Sequence, residues 1–438
     1  MKFGDQTTLK IDSVDKKGRG CGLVNGRAAC AYFTVPGEEI EAELIARKQG
    51  TLLFETRRVA TPSPRRIPAP CPSAGSCGGC LWQQFDYSLQ LELKRDLVNR
   101  AFQAAGLGER LDAVVPCPEL FRYRNRMDYC VGPRGQVGLK KPGRWNAHLD
   151  TPECLLLSAD AAEIMKRFRE WLKKFEVKPW NGASYSGYAR YLVIREGKNT
   201  GERLVTIVTS DGPLPGEEWL LENIGGLATT IYHGINATKT DLSITPNLRL
   251  LQGPPDLHEK IGGRIYAIPP NSFFQTNTLM AGEMLKTAKE FLAPQRCGRL
   301  LDLYCGVGFF GLGLADSADR VVGVEIDAPA IEAARRNAAA NGVAAAEYFA
   351  AEAEGLIWKN EKPDTVIVDP PRSGLHPKVV ATLLANLPER LLYVSCNYES
   401  FARDLKPLQA AYELKQIRAL DLFPHSPHVE LVSLLVRK

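Results

Sequence analysis

Near its C-terminal end the chain reads RLLYVSCNYESFARDL, with Cys396 standing where an apolar run stops. Leu391 to Val394 read as a buried strand and Asn397 to Leu405 as the start of a helix. A free cysteine is commonly a small buried hydrophobe. A thiol at the carboxyl edge of a parallel sheet stands instead where α/β folds hold their ligands, and could serve as a nucleophile. Further on, FPHSPHVELVSLL carries Glu430 into the last apolar run. A carboxylate among apolar neighbours has its pKa raised toward a value useful for proton transfer.

CPSAGSCGGC places Cys71, Cys77 and Cys80 in a C-x5-C-x2-C spacing. Three thiols so close need a fourth ligand to complete a tetrahedral zinc site or to hold a cubic iron–sulfur cluster, and the spacing does not choose between them. His425 and His428 lack a third ligand and read as structural or substrate-facing. Cys305 lies in a glycine loop where packing explains it. Cys21, Cys30, Cys117, Cys130 and Cys297 have no motif around them and read as ordinary.

The elements that must carry these residues become regular from Arg299 onward. RLLDLY, RVVGVEI, DTVIVD and RLLYVSC read as strands, each followed by a helical stretch, and two late strands near YELKQIRALDLF and VELVSLLVRK complete the set. Strands alternating with helices predict a doubly wound, mainly parallel sheet. Its first turn, LLDLYCGVGFFGL, has Asp302 at a strand end, and Gly306, Gly308 and Gly311 formally match a dinucleotide fingerprint. Glu325 ends the next strand, placed to hold ribose hydroxyls. The form D-L-Y-C-G-V-G resembles instead the first motif of S-adenosylmethionine-dependent methyltransferases. DPPRSG then puts Asp369 at the sheet edge where such enzymes face their substrate. Arg372 follows the prolines in place of the aromatic of amine methyltransferases or the cysteine of cytosine methyltransferases.

A nucleophile, if the reaction uses one, must then come from the following strand, which ends in Cys396. Carbon 5 of uracil does not attack a sulfonium methyl group unaided. A thiolate adding to carbon 6 forms an enolate that makes carbon 5 reactive, and a base must later remove the carbon 5 proton.

Upstream, the first sixty or so residues read as short strands separated by turn residues, a small OB-like β-barrel. TPSPRRIPAPCP is a proline-rich linker, Tyr87 to Phe102 has helical periodicity, and about 110 to 265 is a mixed α+β region without a strong pattern. The expected domains are therefore 1–62, 63–265 and 266–438. The 438 residues are 45% hydrophobic and 24% charged, ordinary for a globular protein. No run of about 18 apolar residues occurs, so no membrane span is expected. The start MKFGDQTTLKID lacks a signal-peptide core, which predicts the cytoplasm, where a disulfide framework would be unusual. The net charge of +5 is concentrated early: residues 1–70 hold 12 Lys and Arg against 8 Asp and Glu. From Phe121 to Trp145, seven basic residues and one acid alternate with Phe121, Tyr123, Tyr129 and Trp145. Cations for phosphates with aromatics for stacking suit single-stranded RNA, as well as they suit a solvated loop.

FFQTN, LDLYCGVG, GVE, DPPRSG, YVSCN and FPHSPHVE stand in the order of the RNA uracil-5-methyltransferase family, which the chain resembles over nearly its full length. The N-terminal barrel resembles the RNA-binding TRAM domain of the ribosomal RNA members. The resemblance implies Cys396 as nucleophile and Glu430 as base. It also implies Gln275, Tyr304, Phe309, Glu325 and Asp369 around S-adenosylmethionine, with Glu352 at a further contact position. Phe309 stands where some relatives have asparagine, so a backbone contact survives there and a side-chain hydrogen bond does not. The ribosomal members carry a 4Fe–4S cluster on this cysteine pattern, with a fourth cysteine from a PEC segment that here is Cys154. The expectation is thus a three-part monomeric enzyme: TRAM-like barrel, central α+β iron–sulfur domain and Rossmann-like methyltransferase domain. It would methylate carbon 5 of an unpaired or flipped uridine in structured RNA, 23S ribosomal RNA before transfer RNA. The rival is an iron–sulfur RNA-binding protein without turnover.

Overall fold

A computed structural model describes residues 1–355 and 361–438, which form three sheets, a separate hairpin and the helices that cover them. The largest sheet has eight strands in the order Ala346–Ala350, Ala318–Glu325, Gly298–Leu303, Thr365–Val368, Arg390–Ser395, Glu430–Arg437, Tyr412–Leu420, Val114–Val115. The first five are parallel, and Glu430–Arg437 is antiparallel to both of its neighbours. These strands are apolar on both faces, with Val366 to Val368 and Leu391 to Val394 wholly buried, because helices cover both sides. The chain winds outward from Gly298–Leu303 in one direction and then returns to place Thr365–Val368 on its other flank. Carboxyl ends of strands at such a reversal of order open a crevice for a ligand. The outermost strand Ala346–Ala350 had no expectation in the sequence, since AEYFA carries only a short apolar signal.

The expected boundary at residue 265 separates pieces that pack together. Helix Tyr87–Ala105 is capped by Asp86, whose side chain accepts from Leu89 N–H, and ends at Gly106 in the left-handed region. Its Leu89, Leu93, Leu97 and Phe102 bury in one core with Phe401, Leu405 and Leu408 of helix Tyr398–Leu408. Val114–Val115 then adds a strand to the large sheet beside Tyr412–Leu420. The stretch from Trp82 to Val115, placed by the sequence in a central domain, is therefore built into the C-terminal core.

The central sheet has six strands, ordered Asn247–Gln252, Thr230–Ile235, Arg203–Thr209, Ala189–Glu196, Arg126–Val131, Val137–Gly138. Helices Ala159–Lys174 and Glu217–Ile224 share its core through Phe168, Trp171 and Leu220. The hairpin of Leu257–Ile261 and Arg264–Ile268 leads into the C-terminal region.

Residues 6–61 form a six-stranded sheet around Leu9, Ile40, Leu44 and Phe54. It curls until its first strand meets Gly20–Val24: Asp12 N–H donates to the Cys21 carbonyl at 2.9 Å, and a Cβ on Gly22 would lie 1.9 Å from the Lys10 carbonyl oxygen. Asn25 and Gly26, both at positive φ, turn Gly20–Val24 into Arg27–Ala31. That two-residue turn sets Cys21 directly opposite Cys30, and the two form a disulfide. The reading of both as ordinary thiols is thus corrected. Among the described residues no helix is long and apolar enough to cross a membrane.

Candidate active site

Five neighbouring strands bring the chemistry to one edge of the large sheet. In sheet order their carboxyl or facing ends carry Glu325, then Asp302 with the loop Tyr304–Gly308, then Asp369, Cys396 and Glu430. Register accounts for the last pair. Ser395 faces Leu431 across antiparallel strands, so Cys396, the next residue, stands across from Glu430. Two residues far apart in sequence thereby meet because one strand ends where its antiparallel neighbour begins.

Cys396 is half-buried and opens on a cleft of about 300 Å³ lined also by Arg372, Asn397, Tyr398, His428 and Leu81. Burial pushes its thiol up to about 12, assisted by the nearby charges of Glu430 and Asp369, while the Arg372 guanidinium opposes them. Glu430 is buried, and loss of water together with Asp369 holds its carboxyl well above the usual carboxylate range. Asp369 is pushed up to about 7 by burial, against a hydrogen bond of 3.0 Å donated by Gln275 Nε2. Burial thus favours the neutral forms of the thiol and both carboxyls in this corner, and each charge that forms there opposes the next. Arg372, which fitted no substrate motif in the sequence, is the cation that favours both the thiolate and the Glu430 carboxylate.

The glycine loop lies two strands away. Tyr304, Gly306 and Gly308 all have positive φ, and a Cβ on Gly306 would meet nothing nearer than the Phe273 carbonyl oxygen at 4.0 Å. The backbone there is open to a ligand. Gly306 N–H donates to Glu325 Oε2 at 3.3 Å, while Oε1 accepts from the amides of Ile326 and Asp327. Gly311 serves packing: its N–H donates to Asp302 Oδ2 at 2.8 Å, and a Cβ would lie 2.9 Å from Val321. Asp302 is itself pushed up to about 7 by burial.

Phe309 is buried among Tyr266, Phe274 and Phe310, so its ring belongs to the core and only its backbone faces the loop. Glu352 is exposed just beyond the outermost strand. Burial raises the Tyr304 hydroxyl most, and Glu354, which the sequence reading passed over, acts with Asp404 and Glu325 to raise it further. His428 lines the cleft, held neutral by burial with its pKa lowered to about 4. His425 is structural: its ring lies 4.6 Å from Phe121, and its N–H donates to Gln90 Oε1 at 2.8 Å.

The four motif cysteines converge, with Cys77, Cys80 and Cys154 buried and Cys71 half-buried. Each of the three buried thiols is raised by burial and then by the charges of others in the set. Gly79 N–H donates to Cys77 Sγ at 3.4 Å. A Cβ on Gly78 would lie 2.9 Å from the Lys140 carbonyl oxygen, so the loop there passes too close to backbone for any residue but glycine. No three of these sulfurs lie within 4.8 Å of one another. Tetrahedral zinc with its usual bonds of about 2.3 Å would draw sulfurs to about 3.8 Å. A cubic cluster, in which each cysteine binds a different iron, needs four thiolates, and these four cysteines supply that number.

The basic, aromatic stretch from Phe121 to Trp145 is only partly a surface. Tyr123 and Tyr129 are buried, Arg126 pairs with Asp128 and Lys140 with Asp241. Arg122, Arg134, Arg144 and Trp145 remain exposed.

Residues without a motif position the Asp421–Glu430 loop. Lys94 is fully buried and pairs with Asp421, and its Nζ also donates to the Phe423 carbonyl at 3.0 Å. Tyr87 Oη donates to Asp421 Oδ2 at 3.0 Å. Gln90 Nε2 donates to the carbonyls of Trp82 and Phe85. The signal was present: Gln90 and Lys94 interrupt the ladder Leu89, Leu93, Leu97 on the buried side of a helix.

The family described as tRNA (uracil-5-)-methyltransferase matches residues 258–438. A tRNA (uracil(54)-C(5))-methyltransferase of Pyrococcus horikoshii is 39% identical over 92% of this chain and 94% of its own length. An uncharacterized RNA methyltransferase of Nanoarchaeum equitans is 38% identical over 98% of this chain and 92% of its own. The crystal structure of Pyrococcus abyssi tRNA (uracil-54, C5)-methyltransferase with S-adenosyl-L-homocysteine superposes with a TM-score of 0.82 at 35% identity, covering 98% of this chain and 99% of that one. None of these names a ribosomal substrate, so the preference for 23S RNA finds no support. The chain belongs to the RNA uracil-5-methyltransferase family, enzymes that transfer a methyl group from S-adenosylmethionine to carbon 5 of uracil in RNA.

Proposed function

We propose that this enzyme methylates a uridine of transfer RNA through a covalent adduct on Cys396, with Glu430 as the base that resolves it. The observation that carries the reading is the register that sets Cys396, at the cleft, across from the buried Glu430 behind it. The choice of RNA is supported by relatives named for uracil 54 of tRNA, which match this chain nearly end to end.

In this reading Cys396 Sγ gives its proton to solvent water and bonds to carbon 6 of the flipped uracil, and the enolate so formed attacks the methyl group of S-adenosylmethionine. The neutral sulfide product leaves. Glu430, acting as its carboxylate, then takes the carbon 5 proton and later passes it to solvent water, while the bond between Cys396 and carbon 6 breaks and the thiolate is restored. Gln275 and Asp369, joined by their hydrogen bond, stand between the glycine loop and Cys396 and orient the reacting groups. Glu325 holds the cofactor ribose, Tyr304 and the Phe309 backbone line the same site, and Glu352 is a rim contact. Cys71, Cys77, Cys80 and Cys154 hold a 4Fe–4S cluster that fastens the loop before Trp82. Residues 6–61 act as a TRAM-like RNA-binding module.

The test is methyl transfer from labelled S-adenosylmethionine to unmodified tRNA transcript and to 23S ribosomal RNA, with the modified position mapped. Methylation of one uridine in the tRNA supports the reading; methylation of the ribosomal RNA alone overturns its choice of substrate.

A further inference from the structure

The turn Asp15–Gly20 belongs to the N-terminal sheet in sequence and to the catalytic cleft in space. Lys16 and Lys17 line the cleft that contains Cys396, Arg372 and His428. The turn is fixed from several sides. Asp15 Oδ1 accepts from the amides of Lys17 and Arg19, and Asp15 pairs with the Arg19 guanidinium. The Gly18 carbonyl accepts from Trp82 Nε1 at 3.0 Å, and a Cβ on Gly18 would lie 3.0 Å from Leu81 and 3.1 Å from Pro427. One residue before the turn, the Val14 carbonyl accepts from Arg100 Nη2 at 3.0 Å. So the sheet of residues 6–61 presses one turn against the loop that leads to Glu430.

Both lysine side chains are exposed at this rigid rim. Lys16 Nζ reaches Glu399 at 2.7 and 3.0 Å across the cleft mouth, with the two side chains 56% and 47% exposed. An ion pair so open to water is worth little and yields readily to a stronger anion. Lys17 has no acidic partner among the described residues. A nucleotide that swings its base toward Cys396 must leave its two flanking phosphates at the cleft mouth, where these ammonium groups stand.

We propose that the Asp15–Gly20 turn is a phosphate clamp, in which Lys17, and Lys16 once it leaves Glu399, bind the backbone phosphates next to the flipped uridine. The clamp rests on the reading of Cys396 as the nucleophile toward uridine, and it makes the N-terminal sheet part of the catalytic cleft rather than a remote tether. Arg19 takes no part, because Asp15 already holds it.

The test uses the full-length enzyme and unmodified tRNA transcript. The double variant Lys16→Ala/Lys17→Ala raises KM for RNA on the order of tenfold and lowers the slope of log affinity against log salt by about 1 to 2. Its kcat at saturating RNA and its S-adenosylmethionine affinity move little, and Lys17→Arg restores KM. Glu399→Gln frees Lys16 and lowers KM, a change in the direction opposite to the loss of a structural strut. Unchanged KM and salt slope in the double variant overturn the clamp. So does a raised KM together with lost thermal stability in both the double variant and Glu399→Gln. Failure of the Cys396 reading shows separately, as wild-type enzyme that forms no adduct with 5-fluorouridine RNA.

Discussion

Lys94 and Asp421 form an ion pair with both side chains wholly shielded from water, although 327 positions separate them. Lys94 sits on the helix that the N-terminal half contributes to the C-terminal core, and Asp421 starts the loop that delivers His428 and Glu430. The pair ties the position of the proposed base to a helix outside the methyltransferase motifs. Breaking one partner of a buried pair leaves an uncompensated charge, whereas replacing both with apolar groups is often tolerated.

Lys94→Ala is accordingly expected to lower unfolding stability by about 3–5 kcal/mol. Lys94→Met/Asp421→Leu recovers most of that loss but leaves the loop without its anchor. Urea unfolding and methyl transfer separate the two effects: the double variant unfolds near wild type and turns over more slowly, with S-adenosylmethionine affinity retained.

The pH dependence follows from Cys396. A thiol with its pKa pushed up to about 12 gains thiolate as pH rises, about tenfold per unit far below that value. Asp369 ionises near about 7, and its new negative charge opposes further ionisation of the thiol. Adduct formation at saturating RNA should therefore rise steeply from pH 6, less steeply while Asp369 ionises around pH 7, and steeply again up to pH 9. Arg372→Gln removes the opposing cation and moves the whole profile to higher pH. A plateau reached below pH 7 contradicts this assignment.

In the proposed mechanism Glu430 and Glu325 act at different steps. Glu430→Gln should transfer one methyl group and then accumulate a protein–RNA species that denaturing electrophoresis resolves. Glu325→Gln should weaken S-adenosylmethionine binding by roughly 1.5–3 kcal/mol, the scale of hydrogen bonds to a charged group, and trap nothing. Loss of cofactor binding without a slowed band in Glu430→Gln moves the search for the base to Asp369.

The cysteine set predicts a brown protein with about four iron atoms per chain when purified without oxygen. One equivalent of zinc and no visible absorbance would replace that reading. Cys77→Ala, or removal of the metal by chelation, is expected to lower thermal stability, with activity falling only in step with folded protein.

The C-terminal half was legible because its strands are continuous apolar runs whose last residues carry the chemistry. Asp302, Glu325, Asp369 and Cys396 each end such a run, and the winding order alone brings them to one edge. The meeting of Cys396 with Glu430 was implied only by resemblance, since antiparallel register between nonadjacent strands has no local signature. Val114–Val115 was hidden for the same reason: two residues suffice for a strand only because Tyr412–Leu420 is already there to pair with it. Cys21 and Cys30 could have been paired from the sequence, because Asn25-Gly26 reads as a two-residue hairpin turn and counting outward from it lands on both. The expected barrel and cysteine cluster pointed toward ribosomal RNA only through resemblance to its members, and likeness of fold does not carry substrate choice.

Cys396 is tested most directly by incubating the enzyme and S-adenosylmethionine with tRNA transcript that carries 5-fluorouridine, then locating any cross-link by peptide mass spectrometry. Fluorine at carbon 5 leaves no proton for Glu430 to remove, so the adduct cannot resolve. The predicted result is a stable protein–RNA complex, linked through Cys396 and missing in Cys396→Ala, which still binds S-adenosylmethionine. A cross-link on any other cysteine, or full turnover by Cys396→Ala, would contradict it.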